Sequence, residues 1–103
     1  MSDFTKVAEA KDLPTGKSTC VEFGGQKVAL FNVEGTIYAV GDNCTHRGGP
    51  LSQGAVDGKI VTCPWHGATF DLTTGRPLGP PASAPVKCYR VRVQNGEIQL
   101  AAP

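Results

Sequence analysis

Short turn-forming pairs punctuate this chain and constrain its fold more than any other feature. Gly24-Gly25, Glu34-Gly35, Asp57-Gly58, Thr74-Gly75 and Asn95-Gly96 each separate or bound a short apolar run. Asn-Gly and Asp-Gly supply the φ > 0 residues that two-residue hairpin loops require. The runs between them read as strands: Cys20–Phe23, Gln26–Val33, Thr36–Val40, Lys59–Thr62, Ala68–Leu72, Tyr89–Gln94 and Glu97–Ala101. Tyr89, Val91 and Val93 share one face, opposite Arg90, Arg92 and Gln94; Ile98 and Leu100 repeat this against Glu97 and Gln99. That alternation marks a half-buried antiparallel sheet. No stretch of ten residues holds a helical apolar period, although Ala8–Leu13 has room for a single turn before Pro14. The expectation is an all-β fold, an antiparallel β-sandwich or small barrel of roughly eight to ten short strands.

Thirteen Gly and eight Pro fall at discrete points between these runs, which argues for tight turns rather than disorder. The 103 residues make one domain, 1–103, with no internal repeat or linker. Its core is modest, so a staple such as a metal would help. Ten Lys and Arg against nine Asp and Glu give a charge of +1, which excludes a strongly basic nucleic-acid binder and a polyanionic tail. No apolar run approaches the ~20 residues of a membrane-spanning helix. Met1–Lys6 lacks the charged-then-apolar pattern of a signal peptide. A monomeric cytoplasmic protein that binds neither nucleic acid nor membrane is the expectation.

The chain has four cysteines, Cys20, Cys44, Cys63 and Cys88, and two histidines. Cys44 stands two residues before His46, and Cys63 three before His66, so the pattern is C-x-H followed by C-x-x-H. This is metal-ligand spacing rather than disulfide spacing. Both pairs fall outside the alternating runs. Residues 43–51 form a loop with Gly48, Gly49 and Pro50; residues 63–67 form another with Pro64 and Gly67; the hairpin-like segment 54–62 joins them. Two loops at one end of a β-scaffold would present two ligands each. Two thiolates and two imidazoles suit a closed structural zinc site, a mononuclear iron or copper centre, or a Rieske [2Fe-2S] cluster. Spacing alone leaves the three open, though C-x-H is tight for a zinc knuckle. Gly48, Gly49 and Gly67 permit close backbone approach and N–H donation to a sulfide.

Cys44-Thr45-His46-Arg47-Gly48-Gly49-Pro50-Leu51 and Cys63-Pro64-Trp65-His66-Gly67 resemble the two signature boxes of Rieske iron–sulfur proteins. Phe70-Asp71-Leu72 with Thr74-Gly75, and Pro80-Pro81, resemble that family too, and the likeness runs from about Phe31 to Leu100. The size is similar to the small ferredoxins of bacterial aromatic-ring dioxygenases. The resemblance implies one Rieske [2Fe-2S] cluster, with Cys44 and Cys63 on one iron and His46 and His66 on the other. Neutral imidazole in place of thiolate raises the potential above that of an all-Cys cluster. Respiratory members of the family carry two further cysteines that form a disulfide, at the positions of Gly49 and Trp65 here. They also carry a hydroxyl donor and a Tyr at the positions of Ala68 and Phe70. Their absence implies the low end of the Rieske range, roughly −150 mV.

The resemblance implies an electron carrier rather than an enzyme. Both histidines are spoken for as ligands, and the chain has neither a Walker loop nor a G-x-G-x-x-G turn. Electrons would come from a flavin-dependent, NAD(P)H-linked ferredoxin reductase and go to a terminal Rieske non-haem-iron oxygenase. The alternative role is the small subunit of an assimilatory NAD(P)H nitrite reductase; a zinc module is more remote. Trp65 is expected to shield the cluster or pack as an ordinary aromatic, Pro80-Pro81 to form a covering loop, and Arg47 to be solvated or to meet a partner's carboxylate. Cys20 is expected to be a small buried residue, Cys88 part-exposed by parity with Arg90 and Arg92, and the two unbridged.

Overall fold

In the computed structural model the described residues are 4–42, 50–65, 67–79 and 84–102. They contain nine strands: β1 (Thr5–Glu9), β2 (Ser18–Phe23), β3 (Gln26–Val33), β4 (Thr36–Gly41), β5 (Ala55–Asp57), β6 (Ile60–Thr62), β7 (Thr69–Asp71), β8 (Cys88–Gln94) and β9 (Glu97–Ala101). Short 3-10 turns occupy Ala10–Asp12 and Leu51–Gln53. The strands form a six-stranded sheet in the order β1-β9-β8-β4-β3-β2 and a three-stranded sheet β5-β6-β7. Every pairing is antiparallel. No helix among the described residues is long and apolar enough to cross a membrane.

The turn chemistry appears where the sequence puts it. Gly24 and Gly25, Glu34 and Gly35, and Asn95 and Gly96 all have positive φ. They join β2 to β3, β3 to β4, and β8 to β9. The β5–β6 loop is displaced by one residue from the expected Asp57-Gly58: Asp57 pairs with Ile60, leaving Gly58 and Lys59 as the loop. Ala8–Leu13 is not one turn. Ala8 and Glu9 complete β1, and the 3-10 turn covers only Ala10–Asp12.

Two apolar clusters organise the molecule, and β3 belongs to both. Val28 and Leu30 face a cluster with Leu13, Ala39, Tyr89, Ile98 and Leu100. The intervening Ala29 and Phe31 face the other way, onto Val40, Leu51, Val61, Cys63, Ala68, Phe70, Leu72 and Val86. The six-stranded sheet therefore curls around the first cluster. The three-stranded sheet is laid on its outer face over the second. This two-sided burial explains the unbroken apolar run Val28–Phe31, which a one-sided strand would interrupt with polar residues. Each large side chain so buried contributes about 1.5–3 kcal/mol.

The two layers meet closely beside Gly54. A Cβ there would be driven into the Thr62 carbonyl, which belongs to the backbone of β6. Gly54 has φ −80°, which any residue adopts, so the demand for glycine is purely steric. Gly41, by contrast, has only ordinary van der Waals space around its missing Cβ. Gly54→Ala is expected to destabilise the protein by about 1–3 kcal/mol, and Gly41→Ala to be neutral or to stabilise by up to about 1 kcal/mol. Urea unfolding of the two variants checks this; equal midpoints would contradict the close approach.

Candidate metal centre

Cys63 lies in the seam between the two sheets. It is the first residue after β6 and is 1% exposed. The ladder from β6 to β7 closes at Thr62 paired with Thr69. Just inside it the Cys63 N–H donates to the Ala68 carbonyl at 2.6 Å. Gly67, at φ +74°, turns the chain back. Within this loop the Trp65 N–H points at Cys63 Sγ, at 3.4 Å. A backbone N–H directed at a sulfur stabilises it as a thiolate ligand, and the burial keeps water from a metal bound there. Ala68 and Phe70 are fully buried beside Cys63, so their side chains bring no hydroxyl to that sulfur. Trp65 is half exposed at the same loop.

Of the four expected ligands, the structure describes Cys63 alone. Cys44, His46 and His66 lie outside the described residues, as do Arg47, Gly48, Gly49, Pro80 and Pro81. The flanks of the first ligand segment are described, and they converge on the seam that holds Cys63. Val40, in β4, and Leu51, in the 3-10 turn, are fully buried in the same cluster as Cys63. Asp42, 5% exposed, accepts the Ser52 N–H at 2.6 Å and the Ser52 hydroxyl at 3.0 Å. Asp42 and Ser52 escaped sequence reasoning. Their only signal is a polar residue at each border of the loop.

The two remaining cysteines differ. Cys20 is exposed rather than buried, because it shares the outward parity of Ser18 and Glu22 on β2. Partial burial of its sulfur, followed by its hydrogen bond to Asp42, pushes the thiol up to about 11. Cys88 is part-buried, and its thiol donates to the carbonyls of Leu72 at 3.7 Å and Thr73 at 3.6 Å. Burial and then the Asp71 charge raise it above the ordinary thiol range. Asp71 itself is held low by the hydroxyl and N–H of Thr73, at 2.6 and 2.8 Å. Both are free thiols.

A family model for the Rieske [2Fe-2S] domain matches residues 3–90. The chain belongs to the Rieske [2Fe-2S] family. Its cofactor is accordingly a Rieske [2Fe-2S] cluster, not zinc or a mononuclear metal. The dry Cys63 sulfur and its N–H donor fit that group. The chain is 38% identical over 96 residues to the biphenyl dioxygenase ferredoxin subunit of Pseudomonas sp. (strain KKS102), covering 92% of this chain and 88% of that one. Among solved structures it superposes with a TM-score of 0.88 at 35% identity on a chain from a complex of reduced oxygenase and oxidized ferredoxin in carbazole 1,9a-dioxygenase, covering 95% of this chain and 92% of that one. A protein assigned as the small subunit of an NADPH nitrite reductase superposes at 0.83 with 26% identity, covering 98% of this chain and all of that one.

Raising Cys20 from 9.0 to about 11 lowers its thiolate fraction about a hundredfold at any pH below both values. The higher basicity returns about a factor of ten in intrinsic nucleophilicity. Cys20 is therefore expected to react with iodoacetamide at pH 8 about tenfold more slowly than free cysteine, despite its exposure. Mass-resolved alkylation kinetics check this; a rate equal to that of free cysteine would contradict the raised thiol.

Proposed function

We propose that this protein is a one-electron carrier whose Rieske cluster is held by Cys44 and Cys63 on one iron and His46 and His66 on the other. It takes electrons from a flavin-dependent, NAD(P)H-linked reductase and passes them singly to a terminal Rieske oxygenase. The observation that carries this reading is the near-full-length identity, 38%, to a dioxygenase ferredoxin subunit. The 35% identity to a chain from an oxygenase–ferredoxin complex supports the acceptor. The nitrite reductase role has a weaker footing, in a likeness at 26% identity. On this reading residues 1–103 form a single domain, a monomer working in the cytoplasm.

When bound, the cluster supplies a reversible one-electron couple. The chain's own residues decide where that couple lies and who reaches it. Val61, Ala68 and Phe70 keep water from the Cys63 sulfur. The Trp65 N–H is directed at that sulfur, and the side chains of Ala68 and Phe70 add no hydroxyl to it. Fewer donors to cluster sulfur lower the potential. Trp65, half exposed beside this loop, offers an apolar anchor to a partner. A small docking face gives weak, fast exchange, which suits a shuttle.

A redox titration followed by visible absorbance is expected to give one reversible one-electron step near about −150 mV. A step hundreds of millivolts higher would overturn the low-potential reading. Gly49→Cys combined with Trp65→Cys, once the disulfide is confirmed, is expected to raise the potential. Cys63→Ser and His66→Ala are expected to lose the colour and much stability, because cluster binding is coupled to folding. A fully coloured, reducible His66→Ala protein would remove His66 from the ligand set.

A further inference from the structure

The segment that carries Cys44 and His46 leaves the described fold at Asp42 and re-enters it at Pro50. Its two ends are tied by one side chain. Asp42 Oδ1 accepts the Ser52 N–H at 2.6 Å, and Oδ2 accepts the Ser52 hydroxyl at 3.0 Å. The Asp42 N–H in turn donates to the Lys27 carbonyl at 3.0 Å, which anchors it to β3. Ser52 is held on its other side as well, its carbonyl accepting the Ser18 hydroxyl of β2 at 2.7 Å.

Two features set this clamp apart from ordinary loop hydrogen bonding. Asp42 is the one buried charged residue among the described residues, and no Lys or Arg among them stands in ion-pair distance of it. A buried carboxylate is costly unless it is fully hydrogen-bonded. Its return is a pair of charge-assisted bonds, roughly twice as strong as neutral ones. The second feature is where Ser52 leads. Leu51 beside it is fully buried in the cluster containing Cys63. Gly54, two residues on, lies against the Thr62 carbonyl, immediately before Cys63. The return of the first ligand segment is thus packed onto the approach to the second.

We propose that Asp42, acting through Ser52, is a positioning residue for the iron–sulfur centre. The pair sets the base of the segment bearing Cys44 and His46 against the run that leads into Cys63. Closing that base in advance removes loop entropy that the cluster would otherwise have to overcome. This rests on the ligand assignment above.

The test uses the reduced holo-protein, with EPR g-values and the rate of cluster loss to a chelator read beside the urea midpoint. The variants are Asp42→Asn, Ser52→Ala, Ser52→Thr and, as a control that loosens Ser52 only from β2, Ser18→Ala. Asp42→Asn and Ser52→Ala are expected to lose the cluster about 10- to 100-fold faster than the parent and to shift the g-values. Ser52→Thr, which keeps the hydroxyl, is expected to follow the parent, and Ser18→Ala to lower the urea midpoint with the g-values unmoved. Parent-like release and g-values in Asp42→Asn and Ser52→Ala overturn the proposal, whatever their stability. Should Asp42→Asn fail to fold, Ser52→Ala decides by the same two readouts. A His46→Ala protein that keeps the parent spectrum would instead remove the ligand assignment, and the positioning role with it. The variant that retains the parent signature tells the two failures apart.

Discussion

The structure depends on the burial of β3 and β4 from both sides. Val28, Leu30 and Ala39 line the inside of the curled six-stranded sheet. Ala29, Phe31 and Val40 form the floor under the three-stranded sheet. Three-residue strands such as β5, β6 and β7 bury too little to stand alone. They are ordered because Val61, Phe70 and Leu72 rest on that floor. The layer that presents Cys63 is therefore borrowed from the larger sheet, and its rigidity is only as good as the seam. Leu51 inserts into the same seam and carries the returning end of the segment bearing Cys44 and His46 with it.

That arrangement separates two tasks that pull against each other. A cluster thiolate needs exclusion from water and directed N–H donors, whereas an electron carrier needs its redox centre close to the surface. Cys63 is buried while Trp65, two residues later, is half exposed. One tight loop, closed by the Cys63–Ala68 hydrogen bond, spans the change from core to solvent. The side chains at Ala68 and Phe70 are apolar, and the Trp65 N–H is directed at this sulfur.

Much of the fold was legible because hairpin turns carry their own chemistry. The pairs at Gly24-Gly25, Glu34-Gly35 and Asn95-Gly96 all lie in the positive-φ region, and the strand bounds follow from them. β1 was not legible. Its pairing with β9 shifts between Lys6 and Ala8, so the adjacent Val7 and Ala8 both pack against the core and the alternation is lost. Cys20 was misread from residue type, although its parity with Ser18 and Glu22 points outward. At Val93 the alternating face of β8 runs out into solvent near the hairpin tip, where parity no longer means burial. The proposed ligand residues stood out because spacing and residue type together are rare. Asp42 and Ser52 did not, since an isolated Asp and Ser acquire meaning only when the fold brings them together.

The clamp and the seam give the two proposed ligand segments different kinds of support. Cys63 sits on a hairpin whose ladder, Ala55–Thr62 through Asp57–Ile60 and Ile60–Asp71 through Thr62–Thr69, is local in sequence. Among the described residues no such ladder closes the base of the segment bearing Cys44 and His46. It is bounded by a buried carboxylate and by an apolar anchor, Leu51. Apolar packing sets distance but tolerates rotation, because it is non-directional. Hydrogen bonds to both oxygens of one carboxylate restrict rotation as well. On the proposed ligand set, ligands from two separate loops must meet one rigid group, which needs both kinds of restraint, and these meet at Leu51 and Ser52, adjacent residues of a single turn.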